Sequence, residues 1–220
     1  MGSRLLDKAA LMVQVSFLFV MLAVPTGAIA ATDGDLATFV AEVEAAAADV
    51  HSLSCSFVQE RHLAIFSQPV VFMGALDLVR PDRLRWEFTD PVPSVLVFDG
   101  KKGLRCSDQA EPKYFDLATD PIMRMVAQQL WTWLDGKYGT LAEQYRLELV
   151  GPATISIDPK DKQIAEFIDH IVIYFDAASK QPRQVEIVEP GGDFTRIIFS
   201  GYRLNPSLQD ALFSQCHRNE

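Results

Sequence analysis

The sequence predicts an α+β fold in which a curved antiparallel sheet forms an unclosed β-barrel covered by a helical lid. Two patterns carry that expectation. About ten short runs alternate apolar and polar residues, and turn signals rather than helical crossovers separate them, so neighbouring strands run antiparallel. Only two segments show a sustained helical period with one apolar face. A sheet of so many strands has to curl. Two short helices do not fill a wide trough, which leaves room for a cavity.

The first helix is expected over Asp35–Val50, where Leu36, Phe39, Val40, Val43, Ala47 and Val50 recur at helical spacing and Ala45–Ala48 favours helix by propensity. Asp33 or Asp35 suits its start. Strand patterns follow. Leu53–Glu60 sets Leu53, Cys55 and Phe57 against Ser54 and Ser56, and Val70–Arg80 puts Val70, Phe72, Leu76, Leu78 and Arg80 on one face. Leu84, Trp86 and Phe88 then alternate with Arg83, Arg85 and Glu87. Val95–Phe98, which includes Leu96, is apolar on both faces, and Asp99-Gly100 is a hairpin signal leading into Lys102–Cys106. A weaker strand covers Lys113–Leu117.

The second helix is expected from Pro121, a residue fitted to a first turn, to Gly136. Its apolar positions are read as Ile122, Met125, Val126, Leu130 and Trp133, and a further helical turn is expected over Thr140–Tyr145. Trp131 and Trp133 cannot both face inward, because two positions are about 200° apart on a helix. Strands resume at Tyr145–Val150, Ala153–Asp158, Ile168–Phe175, Arg183–Glu189 and Thr195–Leu204, and a short tail follows from Asn205.

The first thirty residues read as a cleaved export signal. Arg4 and Lys8 precede the apolar run Ala9–Val24, and Pro25 and Gly27 break it before the small-x-small site Ala28-Ile29-Ala30. Ala31–Glu220 is then expected as a single domain in the periplasm. Cleavage removes two basic residues and one acidic residue, taking the formal charge from −9 to −10. Such a chain repels nucleic acid and anionic membrane surfaces. Cys55, Cys106 and Cys216 allow at most one internal disulfide. Cys55 and Cys106 alternate with apolar neighbours, and buried cysteine is expected for both, with a bond between them left open.

Catalytic chemistry has no signature here. His51, His62, His170 and His217 lack metal-pair spacing, and no nucleophile elbow, phosphate loop or dinucleotide fingerprint occurs. Neither an enzyme nor a cofactor is expected. Arg80 is a more informative residue, because Pro81 holds it in extended geometry at the end of an apolar strand face. Its five donors can reach the carbonyls of a covering helix, or its head can simply extend to water. Methionine and aromatic side chains together make an adaptable surface for acyl chains. Apolar residues at strand or helix spacing are core by default; if this face takes acyl chains instead, the residues expected to contact lipid are Phe57, Phe72, Leu76, Trp86, Phe88, Leu96, Phe98, Met125, Leu130 and Trp133.

Several further features stand out together: the export signal, the short first helix, Phe57-Val58-Gln59, and the run Gly74-Ala75-Leu76-Asp77-Leu78-Val79-Arg80-Pro81-Asp82-Arg83-Leu84-Arg85-Trp86-Glu87. Pro91, Ser94–Lys101 and Asn205-Pro206-Ser207-Leu208 with Phe213 continue the pattern. In these residues the sequence resembles the LolA family of periplasmic outer-membrane lipoprotein carriers. The resemblance implies an apolar cavity for lipoprotein acyl chains, with Arg80 as the latch that bonds the lid and keeps the empty cavity closed. It also implies a monomer that takes acylated lipoproteins from an inner-membrane ABC-type release complex and passes them to an outer-membrane acceptor lipoprotein. The segment after Lys102 lacks the aromatic strand of the best-known carriers, and the tail is short. The alternatives are therefore a carrier of another amphiphile, such as a glycolipid or polyene lipid, or a lipoprotein-sensing module on the same fold.

Overall fold

The structure, a computed structural model, describes residues 33–108, 110–134 and 136–218, leaving aside the side chains of Asp33, Met125, Gln128, Gln129, Thr132, Trp133 and Leu134. The expected export segment and its cleavage site lie outside the described residues. So do the side chains of Met125 and Trp133.

Eleven strands form one antiparallel sheet. They are β1 (Ser52–His62), β2 (Val70–Val79), β3 (Arg83–Asp90), β4 (Ser94–Asp99), β5 (Lys102–Ser107), β6 (Ala110–Asp116), β7 (Tyr145–Gly151), β8 (Thr154–Pro159), β9 (His170–Phe175), β10 (Pro182–Val188) and β11 (Phe194–Leu204). Their order is β6-β5-β4-β3-β2-β1-β11-β10-β9-β8-β7, so β1 and β11 pair at the centre while β6 and β7 remain as edges. The sheet curves without closing. Between β6 and β7 the chain forms α2 (Pro121–Leu134) and α3 (Tyr138–Leu141); α1 (Asp33–Ala48) precedes β1, and α4 (Lys162–Ala165) joins β8 to β9. The short α4 has no counterpart in the sequence reading. It starts where the Asp161 side chain accepts a hydrogen bond from the Gln163 backbone.

The two-residue period divides the sheet into two apolar faces. On the inner face, Cys55, Phe57, Leu76, Leu78, Leu84 and Phe98 form a core beneath α2. Phe39, Val40 and Val43 of α1 pack there with Ile155, Ile157, Ile171, Ile173 and Phe175 from the other half of the sheet. The buried positions of α1 are those expected from its period, although the helix begins and ends two residues earlier. On α2 the buried face differs from the reading. Met123, Val126, Ala127, Leu130 and Trp131 pack on the sheet, whereas Ile122 is 67% exposed. Both stripes contain Val126 and Leu130, so the period alone does not choose between them; the sheet beneath does.

The outer face is covered over β3–β5 by the C-terminal tail. Phe213, Leu208 and Leu212 pack on Val79, Val95, Val97 and Leu104. Cys106 and Cys216 form a disulfide across a sequence separation of 110, and buried Cys55 is the free thiol. This decides the pairing left open above. Closing so long a loop is worth about 4–5 kcal/mol in the chain-entropy account. Arg85, fully buried, donates to the carbonyls of Leu212, Gln215 and Cys216 and to Glu87. Arg218 returns from the tail to Asp77 and Glu87. Burial alone would raise the Glu87 carboxyl, but hydrogen bonds from Arg85 and Arg218 hold it below the usual carboxylate range. Its stabilisation is therefore complete above the ordinary glutamate pKa and is lost as pH falls through the depressed value.

Burial, with a smaller contribution from the Asp77 charge, pushes the Cys55 thiol up to about 12. The native chain should accordingly resist thiol alkylation at pH 8 and take up one label per chain, at Cys55, after unfolding without reductant. Peptide mapping that finds a label on Cys106 or Cys216 in the unreduced protein would contradict the assigned bridge.

Candidate lipid-binding cavity and its latch

The two inner cores do not meet. An apolar cavity of about 200 Å³ lies between them under α1 and the end of α2. Val43, Ala47 and Val50 bound it from the α1 side, and Leu130, Gly136 and Tyr138 from the α2–α3 connection. The floor is laid by alternate residues of strands on both sides of the central pair: Leu76, Leu78 and Trp86 from β2 and β3, Ile171 and Ile173 from β9, Val185 and Ile187 from β10, and Ile197 and Phe199 from β11. Tyr138 and Tyr202 also line it. Burial raises both phenols above their ordinary value, so they stay neutral well into the alkaline range. The Tyr202 hydroxyl is satisfied by the Pro182 carbonyl at 2.5 Å.

Of the residues expected to contact lipid, Leu76, Trp86 and Leu130 line the cavity. Phe57 and Phe98 are instead fully buried in the packing beneath α2, where Phe88 and Leu96 also lie. Phe57 meets the rings of Trp86 and Phe88 at centroid distances of 5.0 and 5.4 Å, and Phe72 meets Phe88 at 5.7 Å. These four phenylalanines and Leu96 support the floor from one side without lining the cavity. The contributions from β9–β11 were not singled out in the sequence. Their alternation marked an apolar face, but only the curvature places that face opposite β2.

Arg80 stands at the rim, lining the cavity just after β2. Its backbone N–H still pairs with the His51 carbonyl at 2.9 Å, which continues the extended geometry into the Arg80-Pro81 turn. Its guanidinium Nη1 donates to the Ala47 carbonyl at 2.7 Å. Ala47 lies in the last turn of α1, where helix carbonyls lack helical partners and a cation is favoured by the helix dipole. Gly136 completes this corner with φ +72°, and a Cβ added there would lie 2.8 Å from the Ala47 Cβ and 3.3 Å from Arg80 Nη2. Only glycine fits both that backbone and that gap. Glu44 fastens the same helix to α3, its carboxylate accepting from the Gly139 N–H at 2.7 Å.

The fold is thus an unclosed antiparallel barrel with helices over a partly open apolar cavity. Residues 48–216 match the family described as outer membrane lipoprotein carrier protein LolA. The chain belongs to that family. It is 25% identical to the outer-membrane lipoprotein carrier protein of Alkalilimnicola ehrlichii over 166 residues, which make up 76% of this chain and 71% of that relative. Among the solved structures that share the fold are two with different relations to this chain. One is an uncharacterized conserved protein from Thermus thermophilus (TM-score 0.53, 10% identity, 82% of this chain and 93% of that one). The other is MucB (TM-score 0.51, 16% identity, 83% of this chain and 64% of that one). The family is one of carriers and not of enzymes.

Gly136→Ala should force α1 and the α2–α3 connection apart. A left-handed alanine costs about 1–2 kcal/mol before any clash. Denaturant titration should find a lower midpoint at unchanged slope; an unchanged midpoint would mean that the corner relaxes without cost.

Proposed function

We propose that this chain is a periplasmic carrier that shields lipoprotein acyl chains in the cavity between α1, α2 and the sheet, and moves them from the inner to the outer membrane. An export signal cleaved after Ala30 would deliver it to that compartment. An inner-membrane ABC-type complex would load it, and an outer-membrane acceptor lipoprotein would receive the cargo. The observation that carries the reading is the covered apolar cavity with Arg80 bonded to its lid.

The physical need is large. Each methylene left in water forgoes about 0.8 kcal/mol, so a multiply acylated anchor does not cross an aqueous compartment unaided. The cavity, at about 200 Å³, is smaller than the ~300–1,000 Å³ of pockets that hold drug-sized ligands. Loading therefore requires the helices to lift or slide. Release without nucleotide hydrolysis by the carrier then depends on the closed empty state and the loaded state lying close in free energy. Arg80 stabilises the closed state alone. Phe57, Phe72, Phe88, Leu96 and Phe98 would join the contact surface as the helices move, together with Met125 and Trp133 of α2.

Removing a hydrogen bond to a charged group costs about 1.5–3 kcal/mol. Arg80→Leu should therefore accept acylated lipoprotein from spheroplasts as well as wild type, but hand it to outer membranes at a tenth of the rate or less. Transfer at the wild-type rate would contradict the latch. Mass spectrometry of the soluble complex tests the cargo. Acylated protein supports the reading, whereas free lipid or glycolipid would keep the carrier and replace its cargo.

A further inference from the structure

We propose that Lys180 is a second latch on α1, closing the cavity from the half of the sheet opposite Arg80. The inference rests on the carrier reading in that it assigns a gating role to a residue of the same cavity.

Lys180 lies in the turn between β9 and β10 and lines the cavity mouth beside Gln181 and Pro182. Its ammonium Nζ is 2.7 Å from Glu42 Oε2, near the middle of α1. It also stands 5.1 Å from the centroid of the Phe39 ring on the same helix. One cation thus holds α1 through a charged residue and an aromatic one a turn apart. Arg80 holds the end of that helix through the Ala47 carbonyl. The two contacts come from strands on either side of the central β1–β11 pair, with the cavity between them.

The turn is built to present this side chain. Asp176 Oδ1 accepts hydrogen bonds from the Ala178 N–H, the Ser179 N–H and the Ser179 hydroxyl. The Lys180 N–H returns to the Asp176 carbonyl at 2.9 Å. These bonds hold Lys180 at φ +57°, a backbone that residues with a Cβ seldom adopt and that glycine or asparagine would fill more easily. A lysine at such a position directs its cation to α1 from a fixed base rather than from a loose loop.

The second latch differs from the first in its sensitivity to salt. The Lys180 and Glu42 side chains are 23% and 50% exposed, so mobile ions screen their attraction. Ionic strength should therefore loosen α1 at its middle while the bond to Ala47 persists.

The test uses a fluorescent diacylated lipopeptide as probe, titrated into the full chain at low salt and at high salt. Lys180→Asn removes the cation at a backbone that asparagine tolerates, and Glu42→Gln removes the partner on an exposed helix face. Glu42→Gln, which loses the ion pair alone, should bind the probe about two- to fivefold tighter at low salt, and Lys180→Asn, which also loses the Phe39 contact, about three- to tenfold, because the closed state is destabilised; each should lose most of the salt response. The exchange Glu42→Lys with Lys180→Glu should recover the salt response and part of the wild-type affinity, because it rebuilds the ion pair but not the contact with the Phe39 ring. Single variants that bind like wild type, or an exchange that restores nothing, would overturn the latch. Amide exchange of α1 in the empty protein supplies a readout that needs no cargo. Protection over Phe39–Ala47 should fall about three- to tenfold in Lys180→Asn, and unchanged protection would sink the proposal. Failure of wild type and Arg80→Leu to bind the probe would count against the carrier reading instead, while amide hydrogen exchange in the empty protein still decides the latch.

Discussion

The width of the inner sheet face relative to the helices that cover it is the constraint on which the rest depends. An eleven-stranded antiparallel sheet presents more apolar surface than one helix on each half can bury. α1 packs with the strands from β7 to β10, and α2 shares a core with β1 to β4 and with residues of β6 and β11. The strip between remains as the cavity. The separation of β6 from β7 belongs to the same solution, because the chain between those edges is spent on α2 and α3 rather than on closing the barrel.

The two faces of the sheet are fastened by different means. On the outer face a disulfide, a fully buried arginine and an apolar residue cluster hold the tail on β3–β5. On the inner face α1 is tied at its polar contacts by single bonds: Glu42 to Lys180, Glu44 to the Gly139 N–H, and the Ala47 carbonyl to Arg80. Exposed ion pairs contribute about 0.2–1 kcal/mol, whereas breaking a buried charge network costs about 3–5 kcal/mol. The polar fastening is therefore weaker on the inner face, which is the side that would move if the helices open as proposed.

Much of this was legible in the sequence, and the failures have a common origin. Local period and turn chemistry located the strands to within a few residues, and they gave the buried stripe of α1, because each depends on near neighbours in the chain. Arg80 was conspicuous because Pro81 fixes its backbone beside an apolar run. The features that escaped depend on distant partners. Arg85 reads as one of an alternating polar set, yet its partners are tail carbonyls up to 131 positions away. Cys216 carried no sign of its pairing with Cys106. The cavity lining from β9–β11 follows from curvature, which alternation does not encode. The aromatic residues near Trp86 were read as a contact surface, and most of them lie under α2 as packing. Lys180 carries no local sign of its contact with α1, because that contact depends on where the turn points.

The most direct test of the central claim is where an acyl chain sits when it is bound. With isoleucine methyl groups labelled, a lipopeptide carrying a nitroxide within its acyl chain should broaden the signals of Ile171, Ile173 and Ile197, which line the cavity. Ile65 and Ile122, exposed at the surface, should remain sharp. Broadening confined to the surface isoleucines, with the cavity methyl groups untouched, would contradict an account in which this sheet and its latched helices enclose the cargo.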